Sequence, residues 1–141
     1  VSDKTNSHSG SADEIVSEHE RVRKLLAKLA ESDDWALLRE VATELQSLLR
    51  GHFAHEESPD GLHQIIGFAT PWNLRQVDDL VAEHSSIVTL IDALVAGAED
   101  ATDRDAVMKT RAELGDLLKR HEARETELLS EAMNTELGGR G

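Results

Sequence analysis

The chain has no cysteine and no tyrosine among its 141 residues. The first absence excludes disulfides, thiolate metal sites and cysteine-based catalysis, and it fits a cytoplasmic protein. The second removes phenolic radicals and phenolic proton donors. Only two prolines interrupt the chain, so long stretches are free to be helical. Aromatic residues make up 3% of the sequence and reduce to Trp35, Trp72, Phe53 and Phe68. Positive charge is in deficit, with 15 Lys and Arg against 28 Asp and Glu and a formal net charge of −13. Such a surface repels phosphate backbones and anionic headgroups, so neither nucleic acid nor a membrane is expected as a partner. No run approaches the roughly 20 apolar residues needed to cross a bilayer, and no signal-peptide pattern is visible.

What is present is helical patterning in a chain of single-domain length. Residues 1–10 are polar and without period, which predicts a disordered leader. Ser11 with Glu14 reads as a capping box. Ile15, His19, Val22, Leu26 and Leu29 follow in alternating steps of four and three, the buried seam of an amphipathic helix. Asp33 or Asp34 caps a second helix with the seam Leu38, Val41, Leu45, Leu49, His52 and Glu56. Ser58-Pro59-Asp60-Gly61 is a turn, and residues 61–70 form a connector with at most a short helical turn around Leu62 to Ile66. Thr70-Pro71 starts a third helix, with the seam Val77, Leu80 or Val81, His84, Ile87 or Val88, Ile91 and Leu94 or Val95, ending at Gly97. Thr102 with Asp105 caps a fourth, with the seam Val107, Leu114, Leu117 or Leu118, His121, Glu125, Leu128 and Ala132. Residues 135–141 are expected to fray. The domain therefore spans 11–134, and its short connections predict an all-α, antiparallel up-down four-helix bundle with a metal site in its core.

The metal site is read from four histidines, His19, His52, His84 and His121, one on the apolar seam of each helix. An apolar stripe covers roughly 3/7 of a helix, so four histidines placed at random would all fall on such stripes about 3% of the time. A single seam histidine is ordinarily a core residue bonded to a carbonyl or a water. Four of them at about one depth, with His52 and His121 each followed four residues later by a glutamate, are a different matter. Residues i and i+4 share a helix face. Imidazole and carboxylate ligands converging in a bundle core suit iron, manganese or zinc. The flanking Glu18, Glu20, Glu57, Glu83 and Glu122 point off the seam and are expected in solvent or at the flank of the site. Trp35 and Trp72 are expected as lids at the bundle ends, and Phe53 as core filler or a pocket wall.

The order His19, His52-x-x-x-Glu56, His84, His121-x-x-x-Glu125 resembles the hemerythrin-like (HHE cation-binding) domains over about residues 11–134. The resemblance implies two non-haem iron ions joined by an oxo or hydroxo group. It implies His19 and His52 on one iron, His84 and His121 on the other, and Glu56 and Glu125 bridging them. The chain departs from the oxygen-carrying members in two ways. Leu80 and Val88 stand four residues either side of His84, where a fifth histidine would be sought, and the last carboxylate is a Glu at the fourth rather than the fifth place after its His. His63 and His55 are the candidates for an additional ligand, with water or Glu83 as substitutes. The expected function is binding or sensing of dioxygen, nitric oxide, peroxide or iron. The alternatives are a di-iron peroxidase or oxidase, and a bundle with structural zinc. The expected partner is a small diatomic ligand or peroxide, with no protein partner identified and the chain a monomer or weak homodimer in the cytoplasm.

Overall fold

A computed structural model describes residues 7–138, with side-chain surroundings from 12 to 136. Five α-helices follow one another: α1 Ser7–Glu31, α2 Trp35–Glu56, α3 Leu62–Ala69, α4 Leu74–Asp100 and α5 Arg104–Gly138. A single 3₁₀ turn, Pro71–Asn73, leads into α4, and no strand occurs among the described residues.

Several boundaries differ from the sequence expectation. Helix α1 begins at Ser7, so Ser7–Gly10 are helical and Ser11 lies inside the helix rather than capping it. A helix already nucleated propagates cheaply into polar residues, and Ala12 and Ile15 anchor this end by burial. Residues 1–6 of the expected leader lie outside the described residues. Helix α5 likewise runs on to Gly138, held by the buried Leu129 and Ala132, and 139–141 lie outside. Leu129, not Leu128, is the buried seam residue of that last stretch. Asp34 caps α2 as expected, accepting from the Ala36 N–H at 3.3 Å. Asp103, not Thr102, caps α5, accepting from the Ala106 N–H at 3.0 Å, while the Thr102 hydroxyl turns back to Asp100. Helix α4 passes through Gly97 and stops at Ala101, which adopts the left-handed conformation at φ 56°. Gly97 is kept for closeness instead: a Cβ there would stand 2.8 Å from Val107 Cγ2 of α5.

The four long helices pack as a closed ring, α1 on α2, α2 on α4, α4 on α5 and α5 on α1, with α3 lying against α1, α4 and α5. Trp35 at the start of α2 donates its indole N–H to the Ala98 carbonyl near the end of α4, 2.9 Å away. Arg111, in the second turn of α5, donates to the Leu29 and Ser32 carbonyls at the end of α1, both at 3.0 Å. The Leu29 carbonyl also accepts the Ser32 N–H at 3.3 Å, and the guanidinium adds a second donor to it and one to Ser32, which satisfies the helix end. Trp72, by contrast, is 62% exposed and is no lid, although its indole N–H reaches Glu131.

Two apolar clusters divide the interior. The larger holds Leu26, Leu29, Leu38, Leu45, Leu49, Ile87, Ile91, Leu94, Leu114 and their neighbours. The smaller joins Ala12 and Ile15 of α1, Leu62, Ile65 and Ile66 of α3, Val77 of α4, and Leu129 and Ala132 of α5. Each fully buried Leu or Ile contributes about 1.5–3 kcal/mol. The expected connector is therefore a core element, because an apolar LHQIIGFA segment buries one face across the open end of the ring. By length and composition alone, the stretch 71–100 is apolar enough to cross a membrane, with a mean hydropathy of 1.4 over its best window, contrary to the sequence reading. Its apolar stripe, Val77, Leu80, Ile87, Ile91 and Leu94, is buried in the bundle.

Candidate metal centre

Between the two apolar clusters lies a polar layer. His19 projects from the middle of α1, His52 and Glu56 from the last turns of α2, His84 from the middle of α4, and His121 and Glu125 from α5. Each of these six is at most 3% exposed. Groups this polar and this buried destabilise a core unless something satisfies them.

The six side chains form two groups that share both carboxylates: His19, His52, Glu56 and Glu125, and Glu56, His84, His121 and Glu125. Within each group the potential ligand atoms lie within 4.8 Å of one another. Glu56 Oε2 is 3.3 Å from His19 Nε2 and 3.0 Å from His52 Nε2, while its Oε1 is 3.0 Å from His84 Nε2. Glu125 repeats the division, with Oε2 on His19 Nε2 and Oε1 3.4 Å from His121 Nε2. Both carboxylates thus present one oxygen to each histidine pair. The i, i+4 spacing of the two His-x-x-x-Glu segments is what puts each carboxylate beside its own histidine, and helix packing brings the other pair within reach.

The outer edges of the imidazoles are held as well. Glu18 lies 2.7 Å from His52 Nδ1, Glu57 2.7 Å from His84 Nδ1 and Glu83 2.7 Å from His121 Nδ1. A carboxylate accepts only, so each Nδ1 carries the proton and Nε2 keeps a lone pair directed inward in the neutral ring. That assignment makes the interior a meeting of acceptors. Glu56 Oε1, Glu125 Oε1, His84 Nε2 and His121 Nε2 are all buried without a hydrogen-bond partner. His84 Nε2 and Glu56 Oε1 are 3.0 Å apart, yet their directions do not make a hydrogen bond. Facing acceptors at this distance are satisfied by a cation, and the donor set of imidazole nitrogen and carboxylate oxygen fits a first-row transition metal.

Where no cation is bound, protons would have to take this role. Burial alone would lower the His19 imidazole, but hydrogen bonds to Glu125 and Glu56 outweigh it and raise it to about 10. His52 and His121 are raised against burial by Glu56 and Glu125 respectively. Burial would push Glu56 up, but its contacts with Glu125 and with the imidazoles of His19, His52 and His84 hold it well below the usual carboxylate range.

Of the two places the sequence allows for Glu18, Glu57 and Glu83, solvent or the flank of the site, the structure shows the flank, each against an imidazole. A glutamate beside a core histidine points about 100° around the helix, which aims it at the imidazole of the neighbouring helix. The dipeptides Glu18-His19 and Glu83-His84 carried that signal. Glu83 also receives Arg124, and hydrogen bonds from His121 and Arg124 lower its pKa against the effect of burial. Of the two additional ligand candidates, His63 stands away from the cluster, half-exposed, with Nε2 2.7 Å from Asp78. It follows Leu62, whose side chain takes the buried face of α3. His55 is at the flank, 3.3 Å from the same Glu18 oxygen that holds His52. Phe53 is buried and stacks on His84, with ring centroids 3.8 Å apart and 10° between planes. It forms a wall of the layer.

A helical bundle with a buried layer of imidazoles shared between two carboxylates is a metal-binding bundle protein. The hemerythrin HHE cation-binding domain matches residues 11–133, and the chain belongs to that family. Neither the comparison with curated proteins nor that with solved structures gave a match.

Proposed function

We propose that this protein is a non-haem di-iron protein that binds or senses a small molecule, dioxygen first and nitric oxide or peroxide after it. The observation that carries the reading is the division of both Glu56 and Glu125 between the two histidine pairs. His19 and His52 would hold one ion, His84 and His121 the other, with both carboxylates bridging. Iron would supply reversible, redox-linked binding of a diatomic molecule. The protein's own part is to orient four imidazoles through their outer carboxylates, offset charge with Glu56 and Glu125, and keep water out with Phe53 and the two apolar clusters. The absence of tyrosine favours binding over oxidase chemistry. In this reading the four long helices run up and down, antiparallel to their neighbours. The contacts Trp35–Ala98, Arg111–Leu29 and Asn73–Glu131 support that arrangement. The net charge of −13 argues against nucleic-acid and membrane partners, the lack of cysteine fits the cytoplasm, and in this reading the protein is a monomer or weak homodimer there.

Metal analysis and visible spectra of anaerobically purified protein test the proposal. Two irons per chain with charge-transfer bands are expected, and Glu56→Ala should hold one ion or none. Two colourless zinc ions in the native protein, or unchanged two-iron stoichiometry in both Glu56→Ala and Glu125→Ala, would overturn it.

A further inference from the structure

Three of the four imidazoles are held from outside by a carboxylate of the preceding helix in the ring. Glu18 of α1 holds His52 of α2, Glu57 at the end of α2 holds His84 of α4, and Glu83 of α4 holds His121 of α5. The sequence of donors and acceptors turns in one direction around the bundle. The link from α5 back to α1 is the one left open: among the described residues no carboxylate is hydrogen-bonded to His19 Nδ1. On α5, one residue after His121, stands Glu122, whose Oε2 is buried and without a partner.

The placement of Glu122 suits that link. It lies three residues before Glu125, on the same side of α5, and Glu125 reaches His19 from that side. Among the charged groups that act on Glu122, His19 is the strongest, ahead of Glu125, His52 and Arg23. Arg23 is engaged elsewhere, 3.1 Å from Glu20. A carboxyl oxygen buried without a partner is costly unless it serves one.

We propose that Glu122 is the fourth positioning carboxylate, accepting the Nδ1–H of His19 once Nε2 of that imidazole is given to a metal. The inference rests on the metal reading above. The His19 Nε2 edge faces Glu56 and Glu125. A metal on Nε2 leaves Nδ1 as the ring's one proton-bearing nitrogen, and Glu122, one turn before Glu125 with its buried Oε2 unpartnered, is the carboxylate assigned to receive it. The result is a closed ring in which every helix orients the ligand of the next. Such outer partners fix the ligand tautomer and typically alter metal affinity about 10- to 100-fold.

The test uses the full chain, ¹⁵N-labelled at histidine and loaded with zinc alone as a diamagnetic probe. Long-range ¹H–¹⁵N correlation then reads the protonation of each ring nitrogen, and competition with a chelator reads zinc affinity. In Glu122→Ala, the slowly exchanging Nδ1–H of His19 should vanish while those of His52, His84 and His121 remain, with zinc affinity falling about 10- to 100-fold. Glu122→Gln keeps an acceptor without the charge, so it should retain the His19 signal with an intermediate affinity. Glu83→Ala should remove the His121 signal instead. An unchanged His19 signal and affinity in Glu122→Ala, or equal disturbance of all four imidazoles in both Glu122 variants, would overturn the assignment. A native protein that takes up no zinc and no iron would overturn the metal reading as well, which separates the two failures.

Discussion

Stripping the metal should leave a protein whose stability falls as the pH rises, while metal affinity rises over the same interval. His19 carries most of the effect. It is faced by Glu56 and Glu125, with Glu122 beside it, and its pKa goes from 6.5 in the unfolded chain to about 10 in the fold. Below pH 6.5 both states hold the proton and the stabilisation is fully present. Between 6.5 and 10 the unfolded chain releases the proton and the folded one keeps it, so stability drops by about 1.4 kcal/mol per unit. The total for this one group is on the order of 5 kcal/mol, comparable with the whole stability of a small domain. His52 and His121, raised in the same direction, add to the loss. Glu122, raised from 4.5 to about 7, adds a further loss between those values, because the unfolded chain ionises first. Glu56 acts in the opposite sense, since its lowered pKa gives stability that disappears as the pH falls below 4.5. The metal-free protein should therefore be most stable near pH 5. Metal must displace protons from the inward nitrogens, so its stabilising effect grows with pH. Urea unfolding of chelated and metal-loaded protein between pH 5 and 9 measures both slopes. A metal-free protein whose midpoint stays level or rises above pH 6.5 would refute the proton-for-metal reasoning.

Two substitutions address the structure around the centre. Gly61→Ala should destabilise the fold by more than ~1 kcal/mol, because its Cβ would stand 2.0 Å from the Glu56 carbonyl oxygen and 2.7 Å from that of His55. Gly51→Ala in α2 meets nothing within 4 Å and should stabilise by roughly 0.5–1 kcal/mol, so equal urea midpoints for the two variants would count against this account. His63→Ala should keep its full metal content and spectrum and lose at most ~1 kcal/mol with the half-exposed Asp78 pair. Loss of iron in that variant would return His63 to the ligand set.

Helical periodicity made most of the buried seams legible in the sequence. Ile15, Val22, Leu26 and Leu29 of α1, and Leu38 through Glu56 of α2, lie buried where the three-four spacing placed them. A seam is a local property, because every fourth or third residue of one helix shares a face whatever the partner. The presence of His19, His52, His84 and His121 on those seams, with Glu56 and Glu125 one turn on, was likewise readable, since it needs no knowledge of which helix lies next to which. Helix ends were less legible. Ser11 and Thr102 are competent caps, yet α1 continues through one and Asp103 displaces the other, because packing of Ile15 and Val107 decides where a helix remains worth forming.

The part decided by tertiary structure is the relation between helices. Only docking of α2 against α4 and α1 against α5 puts the two oxygens of Glu56 and Glu125 on different histidine pairs. Packing alone turns Glu18, Glu57 and Glu83 from apparent surface charges into the acceptors that set the imidazole tautomers. It also makes α3 a wall of the smaller apolar cluster and leaves His63 with Asp78 outside the layer. The reason is physical: sequence spacing fixes direction around one helix axis, whereas a shared ligand, an outer hydrogen bond or a covering segment depends on distances across two axes, which only the packed core establishes.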